Sequence, residues 1–249
     1  MHPVPLAVIA ALDDEVRIIR SRMSVDSRIH LRPSMFIRGT YEGRPLLLVR
    51  SGIGGRAMEA AARYMAENFR PELLLHVGYC GGASPDLQPG DFVLGDPIVD
   101  AATNERFAPD GALAEKAQAF LKARGVRSRR AGLVTVDSVA RQPFDKAFLG
   151  TQHESVAIDM ESSALARAAG ELSIPFVVIR SVLDPLDYEF PDLESAMDDE
   201  GKTDGVALAS HLVRRPADIL KLPRVEYFAS QARNAITSLV EGWIKEGSS

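Results

Sequence analysis

Cysteine is nearly missing from this 249-residue chain, where Cys80 is the only one. A single thiol excludes an internal disulfide framework and fits a reducing compartment. Basic residues are outnumbered, 29 Lys and Arg against 34 Asp and Glu, for a net charge of −5. Without an overall positive field the chain is poorly suited to hold a polyanion, so no nucleic-acid partner is expected. The one basic cluster, Arg124, Arg127, Arg129 and Arg130, falls where a helix should end and a strand begin, and reads as a solvated, dipole-matching group.

Long hydrophobic runs are missing too: no segment approaches the ~18 apolar residues of a transmembrane helix. The apolar stretch from Val4 to Leu12 has no basic leader and runs straight into Asp13, Asp14 and Glu15, unlike a secretory signal. The expected location is the cytoplasm. His2, His30, His76, His153 and His211 are scattered, and none pairs with Cys80 or another histidine at ligand spacing, so no metal is expected. A GxSxG elbow is absent, which argues against acyl transfer by a serine nucleophile. The glycine loop SGIGG at 51–55 has the spacing of neither a dinucleotide fingerprint nor a Walker loop, and no cofactor is expected.

What remains is an ordinary globular composition, 46% hydrophobic and 25% charged, on a chain long enough to bury roughly 70–75% of its unfolded surface. Apolar patterning predicts a strand over Leu6 to Leu12 followed by a helix. A hairpin over Met35 to Thr40 and Arg44 to Arg50 turns at Glu42 and Gly43. Loop 51–55 then leads to a helix over Ala57 to Asn68 and a strand over Leu73 to Val77, with GYCGG at 78–82 as a second glycine loop. Strands over Phe92 to Val99 and Gly132 to Val136 flank a helix over Ala112 to Ala123. Residues 187–205 read as a long loop or lid, and a last helix runs from Arg224 to Lys245 with Val225, Phe228, Ala232, Ile236, Leu239 and Trp243 on one stripe. With no repeat and no linker, the reading is one domain over 1–249. It is a three-layer α/β/α fold with a central mixed, mostly parallel sheet.

Residues 157–185 carry the chemistry. Glu161 sits where a strand gives way to a helix marked by Ala164, Leu165, Ala168, Ala169 and Leu172. Asp184 is placed just past the carboxyl end of a strand over Phe176 to Val182, the edge where open α/β sheets bind ligands. Each acid alone has a structural explanation, as a helix-dipole partner or a turn starter before Pro185. Their functional reading rests on several positions agreeing.

The order AALDDEV (10–16), SGIGG (51–55), GYCGGASPDLQPGD (78–91), AIDMESSA (157–164) and PFVVIRSVLDP (175–185) resembles the nucleoside phosphorylase and nucleosidase superfamily. The amino end is most similar to 5′-methylthioadenosine/S-adenosylhomocysteine nucleosidase, and DGVALASHLVRRP (204–216) to the hopanoid-associated phosphorylase branch. The resemblance implies cleavage of the ribosyl bond of a purine nucleoside. Glu15 matches the acid that activates water, Glu161 the one that holds the ribose hydroxyls with Met160 against the sugar, and Asp184 the acid that protonates the purine at N7. Tyr79, Gly81 and Val139 fall on substrate-contacting positions, and Ser51, Gly52 and Gly54 on a loop for phosphate or water, with Arg50 or Arg56 beside it. His76 and Tyr79 stand where phosphorylases offer an arginine and a small hydroxyl residue to phosphate, and Glu15 favours water, so hydrolysis is expected. The alternatives are phosphorolysis, with inorganic phosphate as co-substrate, and a nucleoside-binding protein without activity. The resemblance also implies a homo-oligomer, with the segment from Ala101 to Phe107 crossing to a neighbour.

Overall fold

The computed structural model describes residues 4–192, 198, 200, 210 and 214–246. In chain order the elements are β1 (Ala7–Ala10), α1 (Asp13–Arg22), β2 (Ser24–Leu31), β3 (Ser34–Tyr41), β4 (Arg44–Arg50) and α2 (Gly55–Phe69). They continue with β5 (Leu74–Gly82), β6 (Phe92–Asp100), β7 (Arg106–Phe107), α3 (Gly111–Ala123) and β8 (Ser128–Thr135). The last are α4 (Pro143–Gln152), β9 (Ala157–Asp159), α5 (Ser162–Glu171), β10 (Phe176–Asp184), a 3-10 turn (Pro216–Leu220) and α6 (Leu222–Glu246).

One mixed sheet organises these elements. β5 pairs in parallel with both β1 and β10, and β1 with β4, so the parallel core is the β4-β1-β5-β10 run. The β2-β3-β4 meander and the β10–β6 pair add antiparallel neighbours. Period-two alternation explains the layers. Leu74, Cys80, Phe176, Val178 and Val182 face the α2 and α5 side, whereas Leu75, Val77, Val177 and Ile179 face α1, α3 and α6. A sheet greasy on both sides needs helices on both, which is the three-layer fold expected.

Two expectations are corrected. GYCGG is not a loop: β5 runs on through Gly82, and Gly81 and Gly82 pair with Ile158 and Ala157 of β9. Glycine is required at 78, because a β-carbon there would lie 2.1 Å from Arg180 Nη1 and 2.7 Å from Glu15 Oε1. Asp184 is the last residue of β10 rather than beyond it, placed after a register shift between Val182 and Asp184. β2 and α4 had no counterpart in the sequence reading. The hairpin turn is as expected, with positive φ at Glu42 (49°) and Gly43 (80°). Of the expected lid over 187–205, residues 193–197, 199 and 201–205 lie outside the described residues.

Candidate active site

Glu15 is the third residue of α1 and is 2% exposed. Its Oε2 accepts the Leu12 N–H (2.8 Å), closing the open end of the helix, and its Oε1 accepts the Tyr79 N–H from β5 (2.7 Å). Burial raises its pKa above the usual carboxylate range, against the opposing charge of Arg180 and these backbone bonds. The result is a stationary carboxylate with enhanced basicity.

Glu161 is the residue immediately before α5, and its Oε1 accepts the Gly54 N–H (2.9 Å) while its Oε2 lies 3.6 Å from Arg180. Arg180, on β10, is wholly buried, and its Nη2 reaches Asp159 Oδ2 at 2.5 Å and His76 Nε2 at 3.0 Å. Asp159 also accepts from Thr135 Oγ1 (2.8 Å) and from the Ser162 N–H (3.2 Å). Glu15, Asp159 and Glu161 thus share one guanidinium. Burial, with the nearby Asp159 charge, pushes Glu161 up to about 7 despite Arg180. His76 is driven well below its ordinary value by burial and by Arg180, so it is the neutral acceptor of the Arg180 bond.

Asp184 is 6% exposed and ion-paired through Oδ2 with Lys146 of α4. Burial raises its pKa, and Lys146 opposes that rise. A carboxyl with raised proton affinity is suited to donate a proton to a departing base.

These three acids, drawn from positions 15, 161 and 184, line one cavity of about 620 Å³. Met160, Tyr79, Gly81 and Val139 line it as well. Leu183, Phe190, Val225 and Ala229 give it an apolar wall, and Asp14, Glu226 and Arg233 a polar one. Among the described residues no group of three or more His, Cys, Asp or Glu side chains is arranged to hold a metal ion, and no helix is long and apolar enough to cross a membrane.

Residues 5–215 match the family model of the phosphorylase superfamily. The chain belongs to that superfamily. A 5′-methylthioadenosine/S-adenosylhomocysteine nucleosidase of Geobacillus thermodenitrificans is 30% identical over 195 residues, 72% of this chain and 83% of the relative. The fold matches the nucleosidase of Colwellia psychrerythraea in complex with adenine (TM-score 0.75, 20% identity, 98% of this chain and 96% of the other). It equally matches the futalosine hydrolase of Helicobacter pylori (TM-score 0.71, 17% identity, 95% and 97% covered). The likeness of 204–216 to the hopanoid-associated phosphorylase branch has no counterpart in these relatives, and 204–209 and 211–213 lie outside the described residues.

In this superfamily member the expected phosphate or water loop is otherwise employed. The Ser51 and Gly52 N–H groups donate to the Ala10 and Ala11 carbonyls (2.8 and 3.1 Å). The Ser51 hydroxyl is bonded to the Ala10 and Gly52 carbonyls (3.3 and 2.9 Å), and the Gly54 N–H serves Glu161. Ser51, Gly52 and Gly54 do not line the cavity; Ile53 does. Arg50 turns to the Pro33 carbonyl (3.0 Å) and Glu200 (3.1 Å), and Arg56 borders a second cavity of about 390 Å³. That second cavity also takes in Ala101 and Ala102, from the segment expected to cross between subunits, and meets the first at Val136 and Met160.

Four site residues escaped the sequence reading. Asp14 accepts from Tyr79 Oη (2.8 Å) and from Arg233 Nη1 (2.7 Å), which ties α1, β5 and α6 together at the cavity wall. Arg180 and Lys146 hold the acids. A charged residue in the middle of PFVVIRSV was the available signal for Arg180; Lys146 had none.

Proposed function

We propose that this chain hydrolyses the N-glycosidic bond of a purine nucleoside, a 5′-modified adenosine. The observation carrying the reading is the convergence of Glu15, Glu161 and Asp184 on one cavity, each with raised proton affinity. As the C1′–N9 bond lengthens, positive charge builds on the ribose and negative charge on the base. Glu15 takes a proton from water as its oxygen bonds to C1′. Asp184 passes a proton to N7 of the departing purine, and Glu161, steadied by Gly54 and Arg180, receives the ribose hydroxyls. The products are a free purine and a 5′-modified ribose. Leu183, Phe190 and Val225 offer an apolar surface to base and 5′ substituent.

Water is favoured over phosphate by charge. Among the described residues the cavity wall carries Asp14, Glu15, Asp159, Glu161, Asp184 and Glu226 against Arg233 alone, and Arg233 is bonded to Asp14 and Glu226. A phosphate dianion placed there meets repulsion from the ionised acids, with no free cation among the described lining residues to offset it.

The test is to incubate the protein with 5′-methylthioadenosine, adenosine and inosine, with and without inorganic phosphate, and to quantify free base. The expected result is adenine release at a phosphate-independent rate. Ribose 1-phosphate formed at a phosphate-dependent rate overturns hydrolysis, and tight binding without free base overturns catalysis. Asp184→Asn should lower kcat by about 10²–10⁴-fold and leave the circular dichroism spectrum unchanged; near-normal turnover overturns the assigned role.

A further inference from the structure

We propose that Lys146 is the positioning residue of this site, holding Asp184 by Oδ2 so that the proton destined for the base is carried on Oδ1. The inference rests on the glycosyl-cleaving reading above. Lys146 is 0% exposed on α4. Its ammonium has three N–H donors, and three acceptors surround it: Asp184 Oδ2, the Pro185 carbonyl (3.0 Å) and the Tyr188 carbonyl (2.8 Å). Every donor is spent and Lys146 does not line the cavity, so it acts through Asp184 and not on substrate. Two of its acceptors belong to the turn that directly follows Asp184, so one ammonium fixes both the carboxyl and the backbone carrying it.

The charge has a second consequence. When Asp184 yields its proton a carboxylate is left in a buried site, and the adjacent ammonium stabilises that developing charge. Among the described residues the other titratable groups facing Asp184 are the Cys80 thiol on β5 and the Tyr188 phenol after β10, both held neutral by burial. Lys146 is therefore the cation that makes Asp184 a willing donor.

The experiment compares the pH dependence of kcat and KM for the wild type, Lys146→Met, Asp184→Asn and the double variant. Lys146→Met should lower kcat by about 10²–10³-fold with KM little changed. It should also move the basic limb of the kcat profile upward by about one pH unit or more, because an uncompensated buried carboxyl holds its proton more tightly. In the Asp184→Asn background the same substitution should cost little more. Lys146→Met can fold, since Asp184 neutralises by keeping its proton; Lys146→Gln, which retains two N–H donors, is the second variant. An unmoved basic limb, or a loss that is fully additive with Asp184→Asn, overturns the proposal while the parent reading stands. Failure of both single Lys146 variants to fold likewise overturns it, in favour of a purely structural tie. A wild type that releases no base sinks the parent reading and this one together.

Discussion

Glu161 is the residue at which site chemistry and stability meet. Its pKa rises from 4.5 to about 7 on folding, chiefly through burial. A native acid that binds its proton more tightly than the unfolded chain does is favoured at low pH. The contribution is whole below about pH 4.5, is lost as pH climbs through about 7, and is flat above that. The full loss is on the order of 3 kcal/mol. Glu161→Gln cannot ionise and keeps an oxygen to accept the Gly54 N–H, so it escapes this penalty. Its melting temperature relative to wild type should rise steadily between about pH 5 and pH 8, even as base release is lost. A pH-independent difference in melting temperature contradicts the assigned shift.

Arg180 explains why Glu161 is not displaced altogether. Glu15, Asp159 and Glu161 crowd one guanidinium, and no second cation shares that cluster among the described residues. Three buried carboxylates against a single cation are relieved by raising the proton affinity of those held less closely: Asp159 lies 2.5 Å from Arg180 and Glu161 3.6 Å, and it is Glu161, together with Glu15, whose pKa is raised.

At the scale of elements, the strand that brings Tyr79, Cys80 and Gly81 to the cavity is the one whose sequence looks least like a strand. β5 ends in Gly-Tyr-Cys-Gly-Gly, and of these glycines Gly78 makes room for Arg180 and Glu15, whereas a β-carbon at Gly81 or Gly82 would meet Asp184 only at ordinary contact distance (3.7 and 3.4 Å). Gly78→Ala should therefore be costly despite an ordinary strand conformation. The added methyl clashes with a buried guanidinium that is already bonded on several sides, and a loss of about 2–3 kcal/mol in urea unfolding is expected. Gly43→Ala, in a turn with open space around the glycine, should act only through its positive φ of 80° and cost about 1 kcal/mol. Equal losses at the two positions contradict the close packing inferred at Gly78.

The same elements mark what could be read beforehand. Strands buried on both faces, such as Phe176–Asp184, and helices with one apolar stripe, such as α6, declare themselves because burial and periodicity coincide. Glu161 and Asp184 were legible from the helix and the strand whose ends they mark, whereas Glu15, in the acidic run after Leu12, was legible only through the resemblance to the superfamily. β2 was not, since it is an edge strand exposed along nearly its whole length and offers no alternating face. α4 is inverted: Phe144 and Phe148 are 77% and 56% exposed, while Lys146 and Gly150 are buried. Hydrophobic periodicity points that helix the wrong way, and Lys146 was hidden with it.

On the scale of the whole molecule, the cavity is built from chain positions as far apart as Ala11 and Arg233. Its floor is the carboxyl end of β5 and β10, and those same strands carry Leu75, Val77, Val177 and Ile179 into the core under α6, the helix that also lines the cavity with Leu222, Val225, Glu226, Ala229 and Arg233. Trp243, the only tryptophan in the chain, lies in that core near the far end of α6, 1% exposed and edge-on to Phe120 at 5.7 Å. Site and tryptophan thus report on two stretches of one helix and the strands beneath it. If residues 1–249 form a single domain, neither stretch can come apart while the other stays packed, because both rest on the same helix and strands. Base release and Trp243 fluorescence should then be lost over one urea transition with a common midpoint. Two separated midpoints, with activity disappearing while Trp243 remains shielded, would mean that the site region unfolds as a unit of its own and that the one-domain reading is wrong.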